Sequence, residues 1–336
     1  MNVLRTKYHR YGFLLLIIGV ILVFAANLAW GSVPVRPVQI WNWLTGGETD
    51  PVTGAILLQI RMPRALAATI GGAALAVAGL VLQVFFRNPV VDAFVLGVSA
   101  GSGLMVGLVI LAGVTFGFRE NLPLITFLAA FAGAFSVMLF VLSLSRRVQN
   151  LVTLLVAGLV FGYLCSAINS LLIAFAQKEQ LQNYIHWSLG SFAGMTWPQV
   201  GVLALMGLPG LMGTMLLGKP LNALLLGEDY ARSMGVEVHR LRQKIIILTS
   251  CLTAAVTAFA GPVAFVGLAV PHLSRLLFRT DDNRVLIPAV ALLGAVVTAG
   301  CDLAARSVLA PVELPLTALT SLIGAPVVIY LVLKGK

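Results

Sequence analysis

Charged residues are scarce in this chain of 336 residues: Asp, Glu, Lys and Arg together make up 10% of it, whereas apolar residues make up 59%. Soluble domains are about 25% charged and about 45–50% apolar. Because a spanning helix takes roughly 20 residues, ten spans would use most of the chain and leave only short loops. The composition predicts an all-α polytopic membrane protein, a single integral domain over residues 1–336 without a soluble catalytic or nucleotide-binding module.

Groups for enzyme or metal chemistry are also few. Cys165, Cys251 and Cys301 lie in apolar runs, where we interpret them as small core residues. The four histidines form neither an HExxH motif nor a pair at helical ligand spacing. The phosphate-binding pattern GxxxxGK[ST] is absent, so ATP that energises transport has to bind another polypeptide. We therefore expect no catalytic residue, metal site or cofactor in this chain.

Ten apolar runs are predicted to span the membrane: 11–32, 62–85, 93–113, 122–143, 151–176, 196–217, 243–260, 263–278, 285–305 and 315–333. The first run is longer than a signal-peptide core, so we favour an uncleaved span over a cleaved signal. The eighth run is short and follows the helix breakers Gly261 and Pro262.

Carboxylates are missing from the centres of these runs. Asp92 and Glu313 fall at the starts of the third and tenth runs, and Asp302 is predicted to pair with Arg306 four residues later. Ion-coupled carriers commonly place ionisable groups at the membrane centre. A secondary transporter is therefore disfavoured, although one with sodium sites built from backbone carbonyls is still an alternative.

The distribution of basic residues predicts the orientation. With both termini in the cytoplasm, sixteen of the 22 Lys and Arg residues fall in inner segments and six in outer ones. Cytoplasmic loops carry such an excess of Lys and Arg. The net charge of +10 therefore reflects topology, and we expect the lipid bilayer rather than nucleic acid as the surroundings of this chain.

The longest inner connection, residues 218–242, we name the coupling segment. Its sequence predicts a short apolar helix over 219–227 and a second over 228–235, which is acidic at its start; each ends at Gly. Two interpretations are open. The helix pair lies on the lipid surface, or it fits a cleft in a cytoplasmic motor subunit.

Short motifs follow one another along most of the chain. Around the second and third runs they read Arg61-Met-Pro-Arg64, Gly71-Gly-Ala-Ala-Leu-Ala-Val-Ala-Gly79, Phe86-Arg-Asn-Pro89 and Leu96-Gly-Val-Ser-Ala-Gly101. Farther on they read His186-Trp-Ser-Leu-Gly-Ser-Phe, Leu226-Gly-Glu-Asp-Tyr-Ala-Arg-Ser-Met-Gly-Val, Gly261-Pro-Val-Ala-Phe-Val-Gly-Leu-Ala-Val-Pro-His272, Leu314-Pro315 and Gly324-Ala-Pro326. In this order, over about residues 55–335, they resemble the FecCD family of permeases in type II ATP-binding-cassette importers for iron chelates, haem and cobalamin.

The resemblance implies an architecture and a set of partners. It implies ten transmembrane helices per subunit, a second permease subunit (an identical copy in a homodimer, or a paired homologue), two ATPase subunits, and a periplasmic or lipid-anchored substrate-binding protein. The implied location is the cell inner membrane. The substrate is an iron chelate (a siderophore complex or haem) or cobalamin, with another metal or an oxyanion as the alternative.

The resemblance also assigns roles to three sets of residues. The residues implied to contact the ATPase are Leu226, Gly227, Glu228, Asp229, Ala231, Arg232, Met234 and Gly235. Arg61, Arg64 and Arg306, here named the docking arginines, are implied to meet acidic residues of the binding protein, although contacts with lipid headgroups are the alternative. The outer residues 177–195, here named the gating segment, are implied to close the path through Asn183, His186, Trp187, Gly190 and Ser191.

Two rival functions remain at this stage. A stand-alone secondary carrier would transport without an ATPase and would respond to an ion gradient. A membrane-embedded enzyme would need a polar catalytic cluster, which the sequence does not contain.

Overall fold

The computed structural model describes residues 2–31, 33, 35–47, 50–113, 122–145, 147–148 and 150–334. Fifteen α-helices and no strand occur within those ranges. The helices are α1 Asn2–Ala29, α2 Pro37–Thr45, α3 Pro51–Ala55, α4 Met62–Phe86, α5 Val98–Ile110, α6 Leu122–Ser145, α7 Leu151–Phe175, α8 Lys178–Ser188, α9 Trp197–Leu216, α10 Gly218–Leu225, α11 Glu228–Ser233, α12 Val238–Ala260, α13 Val266–Phe278, α14 Asn283–Ser307 and α15 Leu316–Lys334. A π-helical stretch, Ile56–Arg61, connects α3 to α4.

Seven of these helical segments are long and apolar enough to cross a membrane. They contain α1, α4, α6, α7, α9, α12 and α14, each of which coincides with a predicted span. The remaining three predicted spans coincide with shorter apolar helices, α5, α13 and α15. Each of the ten predicted runs thus contains a described helix, and an all-α multi-pass membrane protein is confirmed.

Helix α4 lies at the centre of the bundle, and most of its residues are buried. It packs against α14, α12, α13 and α9. Small residues allow two of these close approaches: Gly72 faces the backbone of Gly294 in α14, and Gly79 faces the backbone of Gly267 in α13. A Cβ atom on Gly79 would lie 1.9 Å from the carbonyl oxygen of Gly267. Such contacts between small residues are the usual way in which membrane helices come together closely.

Non-helical backbone precedes both short helices α5 and α13. After α4, residues 88–97 form turns until Gly97 begins α5 with a positive φ of 83°. After α12, residues 261–265 are irregular until Phe265, with φ 66°, begins α13. The Thr317 hydroxyl donates to the Pro262 carbonyl oxygen at 2.7 Å, which satisfies one acceptor in the second break. Irregular backbone within a membrane bundle needs partners of this kind inside the protein.

Candidate functional site

The coupling segment folds as the two predicted short helices. Helix α10 covers Gly218–Leu225 and α11 covers Glu228–Ser233, and both predicted Gly stops are present. Gly227 has φ 128° and Gly235 has φ 83°, which favour glycine because a Cβ atom disfavours positive φ. The two helices pack together through Ala223 and Ala231, and Val236, which follows α11, covers the same cluster.

Glu228, the first residue of α11, faces the interior of the protein. Its carboxylate accepts a hydrogen bond from the Arg242 guanidinium in α12, whose side chain is 8% exposed. Arg232, one turn later, lies 3.6 Å from the other oxygen of the same carboxylate. Glu228 therefore connects α11 to α12.

Asn222 connects α10 to the start of α14. Its side-chain oxygen accepts from the backbone and side-chain amides of Asn283, at 2.8 and 2.9 Å, and its amide donates to Asp282 at 2.6 Å. The hydrogen bond from Arg284 lowers the pKa of Asp282 to about 2. Asp282 thus stays ionised at physiological pH and remains an acceptor for Asn222.

The opposite face of the coupling segment is open. The Asp229 side chain is 99% exposed, although the neighbouring Glu228 side chain is only 21% exposed. Leu226, Tyr230 and Met234, spaced by four residues, are at least half exposed. Sequence reasoning did not single out Tyr230; its place between Leu226 and Met234 at helical spacing is the signal that could have identified it.

The docking arginines come together in space, and all three are buried. Arg64 donates to both carboxylate oxygens of Asp302, at 2.8 and 3.2 Å from Nε, and also contacts Glu313. Arg61 donates to the Leu28 and Ala29 carbonyls at the end of α1 and to the Val33 carbonyl beyond it. Each guanidinium therefore has acceptors within this chain.

Arg306 donates to the side-chain and backbone oxygens of Asn27, each at 2.7 Å. The predicted i,i+4 pair of Asp302 with Arg306 is wrong, because Asp302 is held by Arg64 instead. Arg64 binds Asp302 in the bidentate geometry that suits a guanidinium and a carboxylate, whereas the Arg306 guanidinium is directed to Asn27.

The gating segment forms α8 followed by non-helical chain that contains a turn at residues 193–194. Asn183 and His186 are exposed on α8, and Trp187 is half-buried near its end. Tyr184, on the buried side, accepts a hydrogen bond from Asn169 of α7 at 2.9 Å. This contact positions α8 against α7.

The end of the gating segment is attached to the break between α12 and α13. The Ser191 amide donates to the Ala260 carbonyl at 2.8 Å, and the Ser191 hydroxyl donates to Glu313 at 3.1 Å. Gly190 has φ 71°, and a Cβ atom there would lie 2.4 Å from the Pro262 oxygen. Gly190 and Ser191 therefore lie in close contact with the end of α12.

A groove of about 580 Å³ runs between α5, α7, α8 and the start of α15. Its polar lining is made of hydroxyl and amide groups, from Ser99, Tyr163, Ser166, Asn169, Ser170, Tyr184, Ser188 and Thr317. The remaining walls are largely Gly, Ala and apolar side chains, and none of the described residues that line it is charged. Such a surface can hydrogen-bond a solute without holding it through charge.

Asp92 is more buried within the protein than its position at the start of the third predicted span indicated. It is 5% exposed, packs beside Gly267 and accepts from the Val95 amide at 2.9 Å. Within the described part of the chain, no cluster of three His, Cys, Asp or Glu residues could hold a metal ion.

The chain is similar to known transport proteins over nearly its whole length. The FecCD transport family matches residues 16–334. The chain is 35% identical over 327 residues to the hemin transport system permease protein HmuU of Yersinia pestis, covering 97% of this chain and 95% of HmuU. It is 38% identical over 295 residues to the vitamin B12 import system permease protein BtuC of Salmonella paratyphi A, covering 88% of this chain and 89% of BtuC.

Solved structures have the same fold. A metal-chelate type ABC transporter in an inward-facing conformation is 32% identical to this chain and has a TM-score of 0.84. The alignment covers 95% of this chain and 97% of that chain. PsaBC from Streptococcus pneumoniae in complex with Fab is 13% identical, with a TM-score of 0.56 over 88% of this chain and 99% of the other. This second likeness concerns the fold alone.

Proposed function

This chain belongs to the FecCD transport family, and we propose that it forms the membrane path of an importer that carries a metal chelate (haem, cobalamin or an iron siderophore). The observation that carries the proposal is similarity over nearly the full length to one haem and one vitamin B12 permease. Selectivity among the chelates belongs to a substrate-binding protein that delivers them, since the groove has no charged lining residue among those described.

The groove between α5, α7, α8 and α15 is our assignment for this chain's half of the path. A second copy of the chain would supply the other half in a homodimer. Hydroxyl and amide groups such as Ser166 and Asn169 would exchange hydrogen bonds with a passing chelate. Weak, distributed contacts of this kind support passage, because tight binding within the membrane would slow release.

We assign the energy source to two ATPase subunits that bind the exposed face of the coupling segment. We call the helix pair α10–α11 the projection. Its inner side is held to the rest of the protein by Glu228 and Asn222. The assignment is supported by the four exposed residues of its outer side, Leu226, Asp229, Tyr230 and Met234. Gly227 and Gly235 shape the projection, and Ala231 is its buried core.

On the opposite side of the protein, the docking arginines are our candidates for the surface that meets the binding protein. Their partners in the described conformation are groups of this chain, so direct docking requires Arg64 to exchange Asp302 or Glu313 for an acidic residue of the binding protein. The gating segment, beside Glu313, closes the path on the same side. Both termini and the coupling segment then lie in the cytoplasm, with the chain in the inner membrane.

Transport measurements in vesicles test the proposed function. The permease, its ATPase and its binding protein are reconstituted together, and uptake of labelled haem, cobalamin and a ferric siderophore is measured with and without ATP. We expect ATP-dependent uptake of one chelate and none with the permease alone. Uptake by the permease alone under a proton or sodium gradient would contradict the proposal and favour a secondary carrier.

A further inference from the structure

The starting observation is the contrast between two adjacent acidic residues in α11. Glu228 is engaged by the buried Arg242, whereas Asp229 is almost fully exposed and has Arg232 as its recorded ion-pair partner, at 3.3 Å. The Arg242 side chain is only 8% exposed, so its ion pair holds the Glu228 carboxylate away from a partner, whereas the ion pair of Asp229 with Arg232 is exposed on both sides and therefore weak. The two residues, both implied to contact the ATPase, therefore have different tasks.

The second observation is the course of α12. Arg242 lies in its second turn, and Ala260 is its last residue. At about 1.5 Å per residue, these positions are about 27 Å apart along the helix. The Ala260 carbonyl accepts from the Ser191 amide, and Trp187, Gly190 and Gly261 pack backbone to backbone beside it. One helix thus contacts the coupling segment at its start and the gating segment at its end.

We infer that the Glu228–Arg242 ion pair is the connection through which a displacement of α10 and α11 reaches Gly190 and Ser191, with α12 as the rigid element between them. Glu228 is a positioning residue in this inference, and Asp229 belongs to the surface that contacts the ATPase. The inference rests on the proposed function. Asn222 holds α10 to α14 in parallel, which keeps the projection folded when the ion pair is altered.

The test separates ATPase binding from gate movement. A reporter cysteine at Gln182, an exposed position of α8, is labelled with a membrane-impermeant thiol reagent in the reconstituted complex, with and without ATP. The chain without the reporter gives the background of Cys165, Cys251 and Cys301. In the otherwise unaltered complex, we expect ATP to change the labelling rate.

Glu228→Gln is expected to retain co-purification with the ATPase but to lose the ATP-dependent change in labelling, and its uptake rate should fall about tenfold, within the usual range of coupling between sites. Asp229→Asn is expected to behave in the opposite way, with weaker ATPase binding and normal labelling changes in the complexes that form. Asp281→Asn, which removes an exposed acid that lies outside the coupling segment and is paired with Arg275, is the matched control and should change neither.

A charge exchange guards against a simple folding defect. Glu228→Arg combined with Arg242→Glu retains an ion pair at the same place and should restore much of the labelling response. If Glu228→Gln retains both the labelling response and uptake, or if it loses ATPase binding while Asp229→Asn does not, the inference is wrong. Failure of the unaltered chain to bind any ATPase would instead overturn the proposed function.

Discussion

At the scale of single residues, burial separates groups that the sequence treats alike. Arg61, Arg64 and Arg306 looked like surface cations, because each follows or precedes an outer connection. Their exposed fractions are 3%, 8% and 7%, and all three donate to acceptors in this chain. Burying a guanidinium is costly unless it is paired. Any role in docking therefore includes the release of these contacts.

Removing the Arg64–Asp302 charges as a pair tests that role. The double variant Arg64→Gln with Asp302→Asn removes both charges of the buried pair, and the Glu313 carboxylate that also loses Arg64 is 36% exposed and can be hydrated, so we expect the fold to be retained. Affinity for the binding protein should fall about tenfold if Arg64 meets an acidic residue there. The measurement is binding of the purified binding protein to permease in nanodiscs at two salt concentrations.

Asp302→Asn alone serves as the control for this experiment, because it leaves Arg64 with only Glu313 as an anionic partner. It should bind at least as tightly as the unaltered chain, since Arg64 becomes easier to release. Unchanged affinity in the double variant would remove Arg64 from the docking surface and leave it a structural role only.

At the scale of elements, close helix crossings fix how the bundle is assembled. Gly79 of α4 and Gly267 of α13 approach so closely that no side chain fits between them. This crossing places α13 beside α4 and beside Asp92, which precedes α5. The sequence showed abundant Gly in the predicted spans, but spacing alone did not identify which glycines meet.

Gly79→Ala is expected to destabilise the protein, because the new methyl group overlaps the Gly267 backbone, which cannot move as a flexible side chain would. Overpacking of this kind costs about 1–3 kcal/mol. The melting temperature in detergent is the readout. Gly300→Ala in α14, where a Cβ atom meets nothing within 4 Å, is the matched control and should melt at or slightly above the unaltered protein. Equal melting temperatures for the two variants would show that the crossing is looser than described.

At the scale of the whole molecule, the predicted topology uses both the long and the short apolar helices. Seven long helices and three shorter apolar ones account for the ten runs. The shorter ones α5 and α13 follow irregular backbone, so residues 93–97 and 263–265 of the third and eighth predicted runs are not helical. Such segments are tolerated because the surrounding helices supply hydrogen-bond partners.

Cysteine labelling checks this topology. In intact cells treated so that the outer surface of the inner membrane is accessible, an impermeant thiol reagent should label Glu179→Cys at the start of α8. It should label Asp281→Cys, an exposed position between α13 and α14, only after the membrane is permeabilised. The excess of Lys and Arg in the predicted inner segments is the physical reason for this orientation. The reverse pattern of labelling would contradict it.

Local properties of the sequence were sufficient for much of this protein. The apolar runs and their Gly and Pro breaks determined the helices, and the motifs from Arg61 to Pro326 determined the family. The two helices of the coupling segment were also predicted, because the signals that start and stop them lie within a few residues of each other.

Only the tertiary structure decided which polar groups meet. Asp302 pairs with Arg64, 238 positions away, rather than with Arg306 on its own helix, and Glu228 turns inward to Arg242 whereas Asp229 does not. A carboxylate takes the partner that the packed helices bring into reach, and that choice depends on crossings such as Gly79 with Gly267. Helix formation is governed by neighbours in the chain, but the pairing of charges is governed by neighbours in space.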